Sequence, residues 1–129
     1  IKKGNYMNLS LIYKVYGAYH IIFALVVGFA SSMLSQSSGW GEVTIGITTM
    51  AEHFGSALLV IGVITWMLPS WTTEEQLKKA TMTIIGLQAI LTLVPIYHAG
   101  VGAIPSDGMF YISTIVNFAF IGLFYWKSR

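Results

Sequence analysis

The chain contains no cysteine and little charge. Without a thiol, disulfides, thiolate metal sites, covalent haem attachment and thiol redox chemistry are all excluded. Charged residues make up 9% of the 129 residues and hydrophobic ones 55%, whereas a soluble domain devotes roughly a quarter of its residues to charge. A bilayer is the solvent that this composition fits. No long polar stretch offers material for a second, soluble domain, so residues 1–129 read as one. Seven basic residues against five acidic ones, scattered along the chain, leave no basic patch for nucleic acid. The motifs of soluble enzymes are missing too: no phosphate loop, no dinucleotide glycine pattern, no HExxH and no serine elbow.

What is present is hydrophobic length. A hydrocarbon core about 30 Å thick needs roughly 20 residues of helix, because only a helix satisfies its own backbone polar groups in lipid. Four stretches qualify, at about 9–32, 47–68, 80–99 and 109–126. Gly and Ser residues between Ser31 and Gly41 mark the first connection, Pro69-Ser70 is expected to end the second helix, and Gly100 to Gly108, with Pro105 inside, marks the third connection. The first stretch follows a basic start, as a secretory signal would, but it is long and lacks a small-residue cleavage site, so it reads as a retained helix. Met7 is expected to be the native translation start, since Lys2-Lys3-Gly4-Asn5 is encodable by a purine-rich stretch resembling a bacterial ribosome-binding site. The expected architecture is an all-α integral membrane four-helix bundle.

Orientation follows from Lys and Arg, which are retained on the cytoplasmic side of short connections. Lys2, Lys3 and Lys14 lie at the amino end, Lys78 and Lys79 in the second connection, Lys127 and Arg129 at the carboxyl end, and none in the first or third connection. Both termini are therefore expected in the cytoplasm. Trp66, Trp71 and Trp126 fall at that same interface and Trp40 at the opposite one, where an amphipathic ring keeps its N–H hydrated. Thr72-Thr73-Glu74-Glu75-Gln76 reads as a capped start to the third helix, with Glu75 and Lys79 spaced for an i,i+4 pair.

Polar side chains within the spans carry the only hint of chemistry, since each needs an interior place or a partner. At 100° per residue, Tyr13, Tyr16, Gly17, His20, Ala24, Val27 and Ser31 share one face of the first helix. On the second, Glu52 shares a face with Gly55, Ser56, Leu59, Val63 and Trp66, with His53 about a quarter turn away. The third groups Thr81, Gln88, Thr92 and Pro95, and the fourth Ser113, Thr114 and Asn117. His20, Glu52, Gln88 and Asn117 are expected to point into the bundle. Two readings stand for them: glue, hydrogen-bonding across helices for about 0.6 to 2 kcal/mol each, or a polar pocket opening outward, with Glu52 at its mouth and His20 at its floor. Close helix packing is expected through Gly17 and Ala24 against Gly55 and Gly62. For a metal, Glu52, His53 and His98 form the least implausible ligand set, the last just beyond a possible kink at Pro95; interfacial histidines are the alternative.

The chain resembles the DoxX-like group of small bacterial four-helix membrane proteins. The resemblance rests on Tyr16-Gly17-Ala18-Tyr19 in the first helix, Gly55-Ser56-Ala57 and Ile61-Gly62 in the second, and Gly102-Ala103-Ile104-Pro105 before the last. It implies a bacterial inner-membrane location and, for some members, association with quinone-linked redox complexes; it implies no catalytic residue. Three functions are compatible with the sequence: a non-catalytic subunit or scaffold of a membrane complex, a quinone-linked oxidoreductase component, or a small transporter or channel, which at this size would need self-association. No cofactor is expected, quinone and haem being the alternatives to weigh, and the expected partners are lipid with other membrane subunits or further copies of the chain.

Overall fold

The computed structural model describes residues 8–33 and 42–129; the readings placed on Lys2, Lys3, Met7 and Trp40 fall outside them. Four long helices make up the described chain: α1 (Leu9–Phe29), α2 (Ile45–Trp71), α3 (Glu74–Gly100) and α4 (Gly108–Ser128). All four are long and apolar enough to cross a membrane.

Each helix begins on a polar side chain, which satisfies first-turn N–H groups that have no partner within the helix. Asn8 accepts from the Leu11 N–H at 2.8 Å, Thr44 from Ile47 at 3.2 Å, and Asp107 from Phe110 at 2.9 Å. At α3, Thr73 and Gln76 cap each other reciprocally, at 3.3 and 3.0 Å. The expected stop at Pro69-Ser70 is overturned, because α2 runs through Pro69 to Trp71. A proline so near the end removes one backbone bond, while the Ser70 and Thr72 hydroxyls donate to the carbonyls of Met67 and Leu68 at 2.6 and 2.8 Å. Likewise α3 runs through Pro95 to Gly100. It stops where Gly102 takes φ +73, a left-handed turn that favours glycine. That turn lets the N–H groups of Gly102 and Ala103 reach back to the carbonyls of Ala99 and His98.

The helices alternate in direction. Gly17 of α1 lies against Gly62 of α2, and Ala24 against Gly55, so these two run antiparallel. Tyr13 and Tyr16 of α1 meet Phe124 and Phe120 of α4 edge to face, with centroids 4.9 and 5.1 Å apart, so α4 is antiparallel to α1 as well. Both termini and the α2–α3 turn thus share one end of the bundle, the terminal end; the other two connections share the loop end. Going round, the order is α2, α1, α4, α3, with α2 and α3 touching only lightly. The expected glycine face is present: a Cβ on Gly17 would sit 2.7 Å from both the Gly62 carbonyl oxygen and the Trp66 nitrogen. Backbone therefore lies on backbone, the arrangement by which small residues join membrane helices.

The core lies at the terminal end. Leu9, Ile12, Tyr13 and Tyr16 of α1 pack with Leu77 of α3 and with Phe120 and Phe124 of α4. At the loop end the buried residues thin out to Ala24 and Val27, Gly55 and Leu58, and Thr92, with none from α4.

Candidate functional site

Two polar places emerge, and they lie on opposite flanks of α1. The first is a spine through the middle of the bundle. Thr81 donates its hydroxyl proton to the Leu77 carbonyl at 2.7 Å, so Tyr13, 3.0 Å away, must donate to Thr81. One turn on, the Tyr16 hydroxyl donates to the Gln88 side-chain oxygen. These two bonds join α1 to α3 across the diagonal of the bundle, where the backbones are too far apart for direct packing and only a long tyrosine reaches.

His20 continues the spine. Its Nδ1 lies 2.9 Å from the Tyr16 carbonyl oxygen. A carbonyl can only accept, so Nδ1 carries the proton, and Nε2 of the neutral ring is left as an acceptor. The ring is 4% exposed and packed against Tyr16 and Tyr19, at centroid distances of 4.1 and 5.2 Å, and among the described residues Nε2 has no hydrogen-bond partner. Gln88 is equally buried, at 1% exposed. Asn117 is half-buried, with no side-chain hydrogen bond among the described residues, and Ser113 and Thr114 beside it are half-buried too. Ser113 turns its hydroxyl back to the Phe110 carbonyl at 3.0 Å.

The second place is a groove of about 290 Å³ between α1 and α2 near the loop end. Gly28 leaves space for it, the close contact at Gly55 forms its base, Ala24, Leu25, Phe29 and Leu59 give it apolar walls, and Glu52 and Ser56 supply the polar atoms. Glu52 is exposed. It does not share a cavity with His20, Gln88 or Asn117, none of which lines the groove. Of the expected inward face of α2, through Glu52, Gly55, Ser56, Leu59, Val63 and Trp66, only Gly55 is buried; the face is rotated so that Leu58, Gly62 and Thr65 join it. The glycines set the rotation, because backbone contact with α1 holds Gly55 and Gly62 at the interface and turns Glu52 and Ser56 to the side.

His53 and His98 are exposed, and His53 folds its Nδ1 onto the Thr49 carbonyl at 2.8 Å. The structure does not gather Glu52, His53 and His98; among the described residues no three His, Cys, Asp or Glu side chains come together as metal ligands. Buried residues absent from the interior faces of the sequence reading are Leu9, Ile12, Leu58, Thr65, Leu77, Phe120 and Phe124. The two phenylalanines had a signal available, since they continue the Ser113, Asn117 stripe at steps of three and four.

Fold and polar places together define a helical bundle with four spans able to cross a membrane. No family model, no curated protein and no solved structure matches the chain.

Proposed function

We propose that the chain is a multi-pass protein of a bacterial inner membrane, with both termini in the cytoplasm, and that it serves as a non-catalytic subunit or scaffold of a membrane complex. The orientation is supported by the placement of every Lys and Arg at one end of the helices, and the bacterial membrane by the resemblance to the DoxX-like group. Asn117 carries the subunit reading. It lies in the middle of α4, partly exposed, with a carboxamide that finds no partner among the described residues. In hydrocarbon such a group seeks a hydrogen bond from a neighbouring helix, and here that helix belongs to another chain.

Because the chain has no cysteine, single introduced thiols report without background. Thr114→Cys, next to Asn117, should cross-link to one discrete partner in native membranes, and Asn117→Leu should abolish that adduct while leaving thermal stability intact. Absence of any adduct along this stripe would remove the subunit reading. For orientation, Ser106→Cys should react with an impermeant reagent only from outside the cell; reaction from the cytoplasmic side would reverse the topology. A second reading, a quinone-linked component, is favoured by the buried Nε2 of His20 among aromatic rings. A soluble quinone analogue should then quench the protein's intrinsic fluorescence, and His20→Leu should abolish the quenching; equal quenching in both would dispose of it.

A further inference from the structure

We infer that the groove beside Glu52 is a binding site for a lipid with a primary-amine headgroup, an aminophospholipid of the outer leaflet. The inference rests on the membrane orientation proposed above and is independent of the subunit role. Position comes first. α2 has 27 residues, about 40 Å at 1.5 Å per residue, which exceeds a hydrocarbon core of about 30 Å. With Trp66 and Trp71 marking the inner interface, roughly 20 residues counted back from Leu68 reach Thr48 or Thr49. Glu52 therefore lies about one turn inside the outer boundary, within reach of headgroups.

The groove faces lipid. On α1, His20 and Val27 are buried, whereas Leu25 and Phe29, on the other flank, are 47% and 86% exposed. On α2, Leu58 and Thr65 are buried, whereas Glu52, Ser56 and Leu59 are exposed. The groove is also polarised along its length: Glu52 and Phe29 stand at the end nearer the headgroups, and Ala24, Leu25 and Leu59 line the deeper part. An amphiphile lying along it places its head at the carboxylate and its chain inward.

Its polar atoms are acceptors. Ser56 gives its hydroxyl proton to the Glu52 backbone carbonyl at 2.8 Å, so what it offers the groove is lone pairs, beside the oxygens of the Glu52 side chain. Such a lining recognises a cation that brings several N–H donors, an ammonium rather than a quaternary amine or a neutral alcohol. The protein cannot supply that cation. No Lys or Arg occurs between Lys14 and Lys78 or between Lys79 and Lys127, so a second copy in the same orientation presents only His53 and His98 near this depth. Lipid is the source of ammonium groups here.

The test is native mass spectrometry of the purified protein, delipidated and re-equilibrated with phosphatidylethanolamine, phosphatidylcholine or phosphatidylglycerol of matched acyl chains. Phosphatidylethanolamine should be retained at least about fivefold over the other two, the equivalent of one charge-assisted contact near an interface. Glu52→Gln should erase that preference. Gly28→Leu should remove the adduct altogether, since a Cβ there meets nothing within 4 Å and so fills the groove without forcing the helices apart. Gly86→Leu, also in open space, is the control and should change nothing; thermal melts verify that all variants fold. Equal retention of the three lipids, an unaltered preference in Glu52→Gln, or tighter retention of a simple long-chain amine than of phosphatidylethanolamine would overturn the site. Absence of the chain from the membrane fraction would overturn the membrane reading instead.

Discussion

The two ends of the bundle are built by different means. At the terminal end, three helices meet through large side chains: Tyr13 and Tyr16 stack edge-on against Phe124 and Phe120, and their hydroxyls reach Thr81 and Gln88. At the loop end, α1 and α2 remain joined by glycine, while α3 contributes Thr92 and α4 contributes nothing buried. Lipid is as apolar as leucine, so burial alone does not draw membrane helices together. What holds them is shape and hydrogen bonding, and both are concentrated where the aromatic and hydroxyl groups lie. The difference teaches where binding has room. At the closed end Tyr13, Tyr16, Thr81 and Gln88 pair with one another, whereas at the open end the Glu52 side chain is exposed beside a groove.

The largest effect that would break this picture is expected at the glycine contact running through both ends. Gly17→Leu drives a side chain into the Gly62 carbonyl and the Trp66 backbone, and backbone cannot step aside as a side chain can. Destabilisation at or above about 3 kcal/mol is expected, or failure to fold. An unchanged melting temperature in detergent would show that α1 and α2 do not meet there. Next in size is the contrast between two phenylalanines of α4. Phe124 is fully buried, and Phe124→Ala should lose about 3 kcal/mol. Phe110, at the loop end, is half-buried and pairs only with its neighbour Tyr111 among the described aromatic rings; Phe110→Ala should lose less than about 1 kcal/mol. Equal losses would mean that the ends are packed alike.

The cross-bundle bond sharpens the comparison further. A double-mutant cycle of Tyr16→Phe and Gln88→Leu should give a coupling of about 1 kcal/mol, the scale found for hydrogen bonds between membrane helices. No coupling would mean that the two side chains do not hold α1 to α3. The smallest effect is expected at the surface, where Lys79 and Glu75 stand 2.8 Å apart but 76% and 80% exposed. Glu75→Gln should leave the melting temperature unchanged at physiological salt, since solvent and ions screen such a pair.

How far the sequence reveals this depends on the helix. Most of the stripe of α1 is legible, because Tyr13, Tyr16, Gly17, His20, Ala24 and Val27 stand out against aliphatic neighbours and all are buried, whereas Ser31 falls beyond the helix end and the buried Leu9 and Ile12 do not stand out. Thr81, Gln88 and Thr92 on α3 are legible for the same reason. On α2 the rule that polar residues point inward misleads. Glu52 and Ser56 draw the eye yet are exposed; the contact is made at the expected Gly55 and Gly62, and Leu58 and Thr65, which carry no signal of their own, follow the glycines inward. On α4 the polar residues locate the stripe but not its buried half, which is aromatic and looks lipid-facing by composition. That Tyr16 reaches Gln88 while Glu52 stays apart from His20 depends on helix register and rotation, which intrahelical periodicity does not contain.

The corner between α2 and α3 has a mechanical consequence. Only Thr72 and Thr73 separate the two helices. Thr72 is tied back to Leu68 and Thr73 forward to Gln76, so the joint is short and fastened on both sides. Beyond it the helices run for 27 residues each, about 40 Å, with little direct contact along their length. Such a joint is a pivot, and the helices are lever arms. Opening it by about 10° moves the far tips apart by about 7 Å for rods of this length, while residues beside the corner barely shift. Any change of angle between α2 and α3 at this corner would therefore be largest at the loop end.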